Sequence, residues 1–137
     1  MKGRGRAHPY RLIGLIGVAG GLALSTAAWA QAPWVAPPGE RAKKNPQPAD
    51  ATTIELGEKL ARANCLPCHG ASFTGNGPAA TALNPKPADW TSTRVQGQPD
   101  GDLFWKISNG RGAMPPWKHL GEKDRWALIR FIRSLKK

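Results

Sequence analysis

The sequence predicts an all-α domain with long ordered loops, and three observations carry that prediction. Leu128, Phe131, Ile132 and Leu135 recur at i, i+3, i+4 and i+7, the apolar stripe of one helix. Between Gly70 and Gln98 prolines and glycines return every few residues, so neither a long helix nor a regular sheet persists there. No alternating run of β-branched residues competes with either feature. With 137 residues, 40% of them hydrophobic, the chain has room for one ordinary domain with a packed core. No internal repeat is visible.

The chain opens with Lys2, Arg4 and Arg6 and no acid, followed by an apolar run from Leu12 to about Ala28. Ala28-Trp29-Ala30 then places small residues where signal peptidase reads. Residues 1–30 are therefore expected to be a secretory signal peptide, cleaved before Gln31, that sends the protein to the periplasm by the general secretory route. The alternative is an uncleaved N-terminal membrane anchor, because the run comes close to the roughly 20 residues that span a bilayer. Arg4 and Arg6 are not adjacent, which gives no twin-arginine signal. No cysteine near the cleavage point suggests a lipoprotein.

Residues 31–50 hold Pro33, Pro37, Pro38, Pro46 and Pro48 among polar neighbours, which reads as a flexible, extended arm. Residues 51–137 form the expected domain. Thr52 with Glu55 makes a capping-box pattern, and Ile54, Leu56, Leu60, Ala61 and Ala63 supply apolar material for a first helix over about 53–64. Asp100 is placed to cap a second helix through Leu103, Phe104 and Ile107, which Asn109-Gly110 would stop. The third follows Gly121. Its first turn carries Glu122 and Asp124 and its end carries Arg130, Arg133, Lys136 and Lys137, the order that the helix dipole favours.

A domain of about 87 residues, rich in loops, buries only about 60 to 65% of its unfolded surface and usually needs a staple, a metal or a cofactor. Cys65-Leu66-Pro67-Cys68-His69 supplies one, since C-x-x-C-H is the pattern of c-type haem attachment. Two thiols at this spacing reach the two vinyl groups on one porphyrin edge, and the following imidazole is aimed at the iron. Competing readings are a thioredoxin-like dithiol, which sits in a βαβ context this chain lacks, a four-ligand zinc site, and a plain local disulfide. For the opposite face of the iron, Met114 is the one methionine left after processing, in Gly112-Ala113-Met114-Pro115-Pro116. A thioether is a soft ligand whose pairing with histidine raises the reduction potential. Met114 as a filler of the core, or His119 as the ligand instead, stay as alternatives.

In this order of motifs the chain resembles the class I monohaem cytochrome c family of bacteria, from about Thr53 to Leu135. The likeness rests on Cys65-Leu66-Pro67-Cys68-His69, Gly75-Asn76-Gly77-Pro78, Asn84-Pro85-Lys86-Pro87-Ala88-Asp89-Trp90, Asn109-Gly110 ahead of Ala113-Met114-Pro115, and Phe131-Ile132-Arg133-Ser134-Leu135. The resemblance implies the class I cytochrome c fold, three to four short helices around one covalent haem c. It implies iron held by His69 and Met114, and a Pro78 carbonyl on the other ring nitrogen of His69, which would fix its tautomer. It also implies a close crossing of the first and last helices at Gly57 and Phe131. By analogy Trp90 or Trp105 would donate its indole N–H to a haem propionate.

The implied function is an electron carrier, not an enzyme, because an iron with both axial positions filled has no place for substrate. Alternatives are a dedicated subunit of a dehydrogenase or reductase, and a peroxidase-like haem protein with a labile sixth ligand. After Ala30 the chain keeps 16 Lys and Arg against 9 Asp and Glu, a net charge of +7. That favours redox partners with acidic docking surfaces, with Arg111 and Lys118 beside the Met114 loop as a cationic rim. Peripheral membrane association is the secondary expectation, nucleic acid is not expected, and the free protein is expected to be a monomer.

Overall fold

The computed structural model of this chain describes residues 33–137. The signal peptide expected over 1–30 lies outside them. Among the described residues there are six α-helices, one 3-10 helix and no strand. The elements are α1 Pro38–Arg41, α2 Ala51–Asn64, α3 Leu66–His69, the 3-10 helix Pro78–Ala82, α4 Thr93–Gln96, α5 Asp100–Asn109 and α6 Glu122–Ser134. No helix among them is long and apolar enough to cross a membrane.

The frame is the crossing of α2 with α6. A Cβ added at Gly57 of α2 would lie 2.1 Å from the Ala127 carbonyl oxygen and 2.9 Å from Cβ of Phe131. Only a residue without a side chain lets these backbones meet. On α6, Leu128, Phe131 and Ile132 are buried as their spacing predicts, together with Trp126, Ala127 and Ile129. All of these but Ala127 join Phe73 and Trp90 from the loops, Val95 from α4 and Leu103, Phe104 and Ile107 from α5 in one core. The ring of Phe104 stacks on Trp126 at 4.0 Å.

Helix ends depart from the expected caps in instructive ways. α2 starts at Ala51, and its cap is Asp50, whose carboxylate accepts from the Thr53 N–H at 2.8 Å. That bond stabilises the anion and holds the Asp50 carboxyl below its ordinary value. The Thr52 and Glu55 capping box is not used, because the acid immediately ahead of the helix meets its orphan N–H groups. Asp100 is the first residue of α5, not its cap, and its carboxylate takes Arg133 Nε at 2.8 Å. Arg133 also donates to the carbonyls of Gln96, at 2.9 Å, and Gln98. A residue expected to answer a helix dipole thus pins α6 to the α4–α5 link.

The proline-rich segment, expected to extend as a flexible arm, packs from Trp34 to Gln47 as a strap across α5 and α6. Ala36 is buried, and its N–H donates to Asp102 Oδ1 at 2.6 Å. A Cβ at Gly101 would lie 2.2 Å from the Glu40 carbonyl oxygen, so α5 admits the strap at backbone distance. Further along, Asn45 Nδ2 donates to the Trp126 carbonyl at 3.0 Å, and Arg130 Nε to the Gln47 carbonyl at 2.8 Å. Prolines lack the N–H that a buried segment must otherwise satisfy, and side chains of α5 and α6 supply partners for several of the other polar groups.

Candidate haem site

Cys65 is at once the end of α2 and the start of α3. Its N–H donates to the Ala61 carbonyl at 2.8 Å, while its own carbonyl accepts from Cys68 at 3.3 Å and His69 at 2.8 Å. One helical turn therefore carries both thiols and the imidazole. Both cysteines are free thiols and half-buried. Burial, with Cys68 adding to it, pushes the Cys65 thiol up to about 11. The carbonyls at the end of α3 are capped by the glycine turn, Gly75 N–H meeting the His69 oxygen at 3.0 Å and Gly77 N–H the Cys68 oxygen at 3.1 Å.

His69 is 9% exposed, with its Nδ1 3.0 Å from the Ala88 carbonyl oxygen. A carbonyl only accepts, so Nδ1 carries the hydrogen and the lone pair of the neutral ring is on Nε2. No hydrogen bond among the described residues uses that Nε2. Burial lowers the imidazole pKa in spite of the Ala88 bond, which favours this neutral, ligating form. The ring leans on Trp90, 4.7 Å between centroids and 42° between planes. Trp90 stacks in turn on Phe73 at 4.8 Å and 9°, and Phe73 meets Phe131 edge-on at 5.1 Å. Phe73 holds a left-handed φ of 56° that costs a residue with a Cβ about 1 kcal/mol, which this stacking in the core offsets.

The ring partner of His69 corrects the sequence reading, which gave that role to Pro78. Pro78 is exposed and opens the 3-10 helix. The Gly75–Gly77 turn directs its N–H groups back onto α3, and the chain returns to the imidazole only at Ala88, after Pro85 and Pro87.

Met114 sits between α5 and α6, half-buried against the core that Cys65 and Leu66 also touch. Its N–H donates to the Arg111 carbonyl at 3.0 Å and its carbonyl accepts from Arg111 at 2.9 Å. Trp117 N–H on the Ile107 carbonyl at 3.0 Å closes the far end of the loop. His119 is exposed, 5.3 Å from the Trp117 ring. Trp90 is buried in the ring stack, whereas Trp105 lines a cavity of about 270 Å³ with Glu40, Ser108 and Lys118.

Two free thiols, an imidazole with a bare Nε2 and a thioether make a donor set that fits a porphyrin held by thioethers. Among the described residues no cluster of three or more His, Cys, Asp or Glu side chains stands ready for a metal ion by itself. The family described as "Cytochrome C oxidase, cbb3-type, subunit III" matches residues 52–132. The chain belongs to that family. It is a c-type cytochrome with a covalently bound haem c and its iron.

Solved structures agree on the fold of this cytochrome. A chain of the Kuenenia stuttgartiensis reducing HAO-like protein complex Kustc0457/Kustc0458 is similar with a TM-score of 0.59 and 27% identity, over 67% of this cytochrome and 47% of that chain. The KustC0563 c-type cytochrome is similar with a TM-score of 0.50 and 26% identity, over 59% of this cytochrome and 98% of that chain. This cytochrome thus spans about half the length of the first and nearly all of the second. No curated protein matches it. Family and fold together make it an electron-transfer haem protein.

Proposed function

We propose that this cytochrome is a periplasmic shuttle that carries single electrons between redox proteins, its iron held by His69 and Met114. Haem c supplies a one-electron iron couple when bound. The observation that supports the reading best is the His69 ring, with Nδ1 committed to Ala88 and Nε2 left bare one residue after Cys68. Second in weight is the Met114 loop. Its backbone is paired both ways to Arg111 and its side chain packs on the same core, so little has to rearrange when the charge of the centre changes. Export rests on the basic and apolar start of the sequence and on the small residues at Ala28 and Ala30.

A second reading has one observation in its favour, since a similar solved chain comes from a protein complex. In that reading this chain is a resident cytochrome subunit. Gel filtration of material from the native host separates the two: a shuttle elutes near its own mass, a subunit with its partners.

The ligand assignment is tested on protein matured in a host that attaches haem. Intact mass reports cleavage after Ala30 and haem addition together. Met114→Ala is expected to abolish the sulfur-to-iron charge-transfer absorption of the ferric protein while the thioether-linked haem stays. An unchanged absorption would reject Met114 as ligand.

A further inference from the structure

The strap begins against the Met114 loop. The ring of Trp34 lies 5.6 Å from Lys106 Nζ and 5.9 Å from Arg111 Cζ. These two cations are anchored differently. Lys106 reaches Asp102 Oδ2 at 3.0 Å, and that carboxylate, 3% exposed, also receives the Ala36 N–H at 2.6 Å. Arg111 belongs to the Met114 loop and exchanges both backbone hydrogen bonds with Met114. The indole therefore spans a fixed point in α5 and the residue that frames the loop. An aromatic face over a cation is attractive because of its ring quadrupole, and a ring shared by two cations ties their positions together.

We infer that Trp34 is a positioning residue for the second axial ligand of the iron, acting through Arg111 to hold the Met114 loop closed. The inference rests on the reading of Met114 as that ligand. Three features lock the strap independently of Trp34: the Ala36 N–H on Asp102, the Glu40 carbonyl over Gly101, and Arg130 on the Gln47 carbonyl. Loss of the indole thus removes one tie on the loop, so that it opens more often, and leaves the strap in place. A loop that opens more often exposes the iron to outside ligands in proportion to its open population.

The test uses the full chain matured with haem, and cyanide as a probe that competes with the thioether for ferric iron. Trp34→Ala is expected to bind cyanide about fivefold faster than the wild type, a factor equivalent to about 1 kcal/mol. The amide of Met114 should exchange with solvent faster by a similar factor. Trp34→Leu, which keeps apolar bulk without a π-face, should behave like Trp34→Ala, and Trp34→Phe should return both readouts towards wild type. Met114→Ala sets the upper limit, with no thioether to displace. If Trp34→Ala and Trp34→Leu keep the wild-type cyanide rate and Met114 exchange while Met114→Ala is fast, the positioning role is overturned and the ligation stands. A lowered melting temperature with both readouts unchanged marks Trp34 as packing only and also overturns it. A wild type as fast as Met114→Ala sinks the ligation reading, and the role of Trp34 with it.

Discussion

A carboxylate with 3% exposure needs partners, and Asp102 has two, the Lys106 ammonium at 3.0 Å and the Ala36 N–H at 2.6 Å. Removing one member of a buried pair leaves the other charged and unpaired, which costs about 3 to 5 kcal/mol. Lys106 keeps Gln98 and the face of Trp34, so the lower end applies. Asp102→Ala should therefore lose about 3 kcal/mol of unfolding free energy in a guanidinium titration of the haem-loaded protein. Asp102→Asn, which still accepts from Ala36, should lose less. A loss under about 1 kcal/mol for the alanine variant would mean the strap is not anchored here. At the site itself, C-x-x-C-H named Cys65, Cys68 and His69 from local sequence, since the chemistry needs them adjacent. Ala88 was not legible, because a backbone carbonyl serves any residue type and only the path of the chain brings it to His69. The Ala36 bond of Asp102 and the cation contacts of Trp34 were hidden for the same reason, spanning 66 residues and at least 72.

Elements, unlike single contacts, were mostly written in local pattern. α6 and α5 appear where apolar spacing and the stop at Asn109-Gly110 put them, and α2 is extended by two residues at its start. Short helices inside 70–98 were not visible, because four- and five-residue turns carry no periodicity. The strap escaped because proline content was read as extension, whereas its order comes from side chains of α5 and α6. The α2–α6 crossing yields the sharpest prediction at this scale. Alanine favours a helix over glycine by about 1 kcal/mol, yet a Cβ at position 57 meets the Ala127 backbone at 2.1 Å, and backbone does not yield as a side-chain tip does. Gly57→Ala should destabilise by about 3 kcal/mol, the upper range for overpacking, and a stabilised variant would refute the crossing. The start of α2 carries a pH signature. Asp50 has a folded pKa below its ordinary 3.8, so its stabilisation is whole above that value and is lost as pH falls through the lower folded one. Asp50→Asn keeps an uncharged cap. On acidification from about pH 5 to about pH 2 the wild type should lose more stability than this variant, read from denaturant midpoints. Equal losses would show that the carboxylate is not the cap.

At the scale of the whole molecule the governing quantity is charge. Beyond Ala30 the chain carries 16 basic and 9 acidic residues, and two of the bases, Arg111 and Lys118, flank Met114 in sequence. Lys118 is exposed, and Arg111 is half-buried under Trp34. A positive field at the face where electrons cross raises the local concentration of anionic partners and lowers that of cationic ones, and salt weakens both effects as the Debye length contracts from about 30 Å at 0.01 M to about 8 Å at 0.15 M. Small oxidants of opposite charge test this without knowledge of the natural partner. The rate at which ferricyanide oxidises the reduced protein should fall by about tenfold over that salt range, within the span known for electrostatic steering. With the cationic tris-phenanthroline complex of cobalt(III) the rate should instead rise. Stopped-flow mixing gives both. Two rates that move in the same direction with salt, or not at all, would place the electron-transfer face away from the cationic surface and remove the expectation of acidic docking partners.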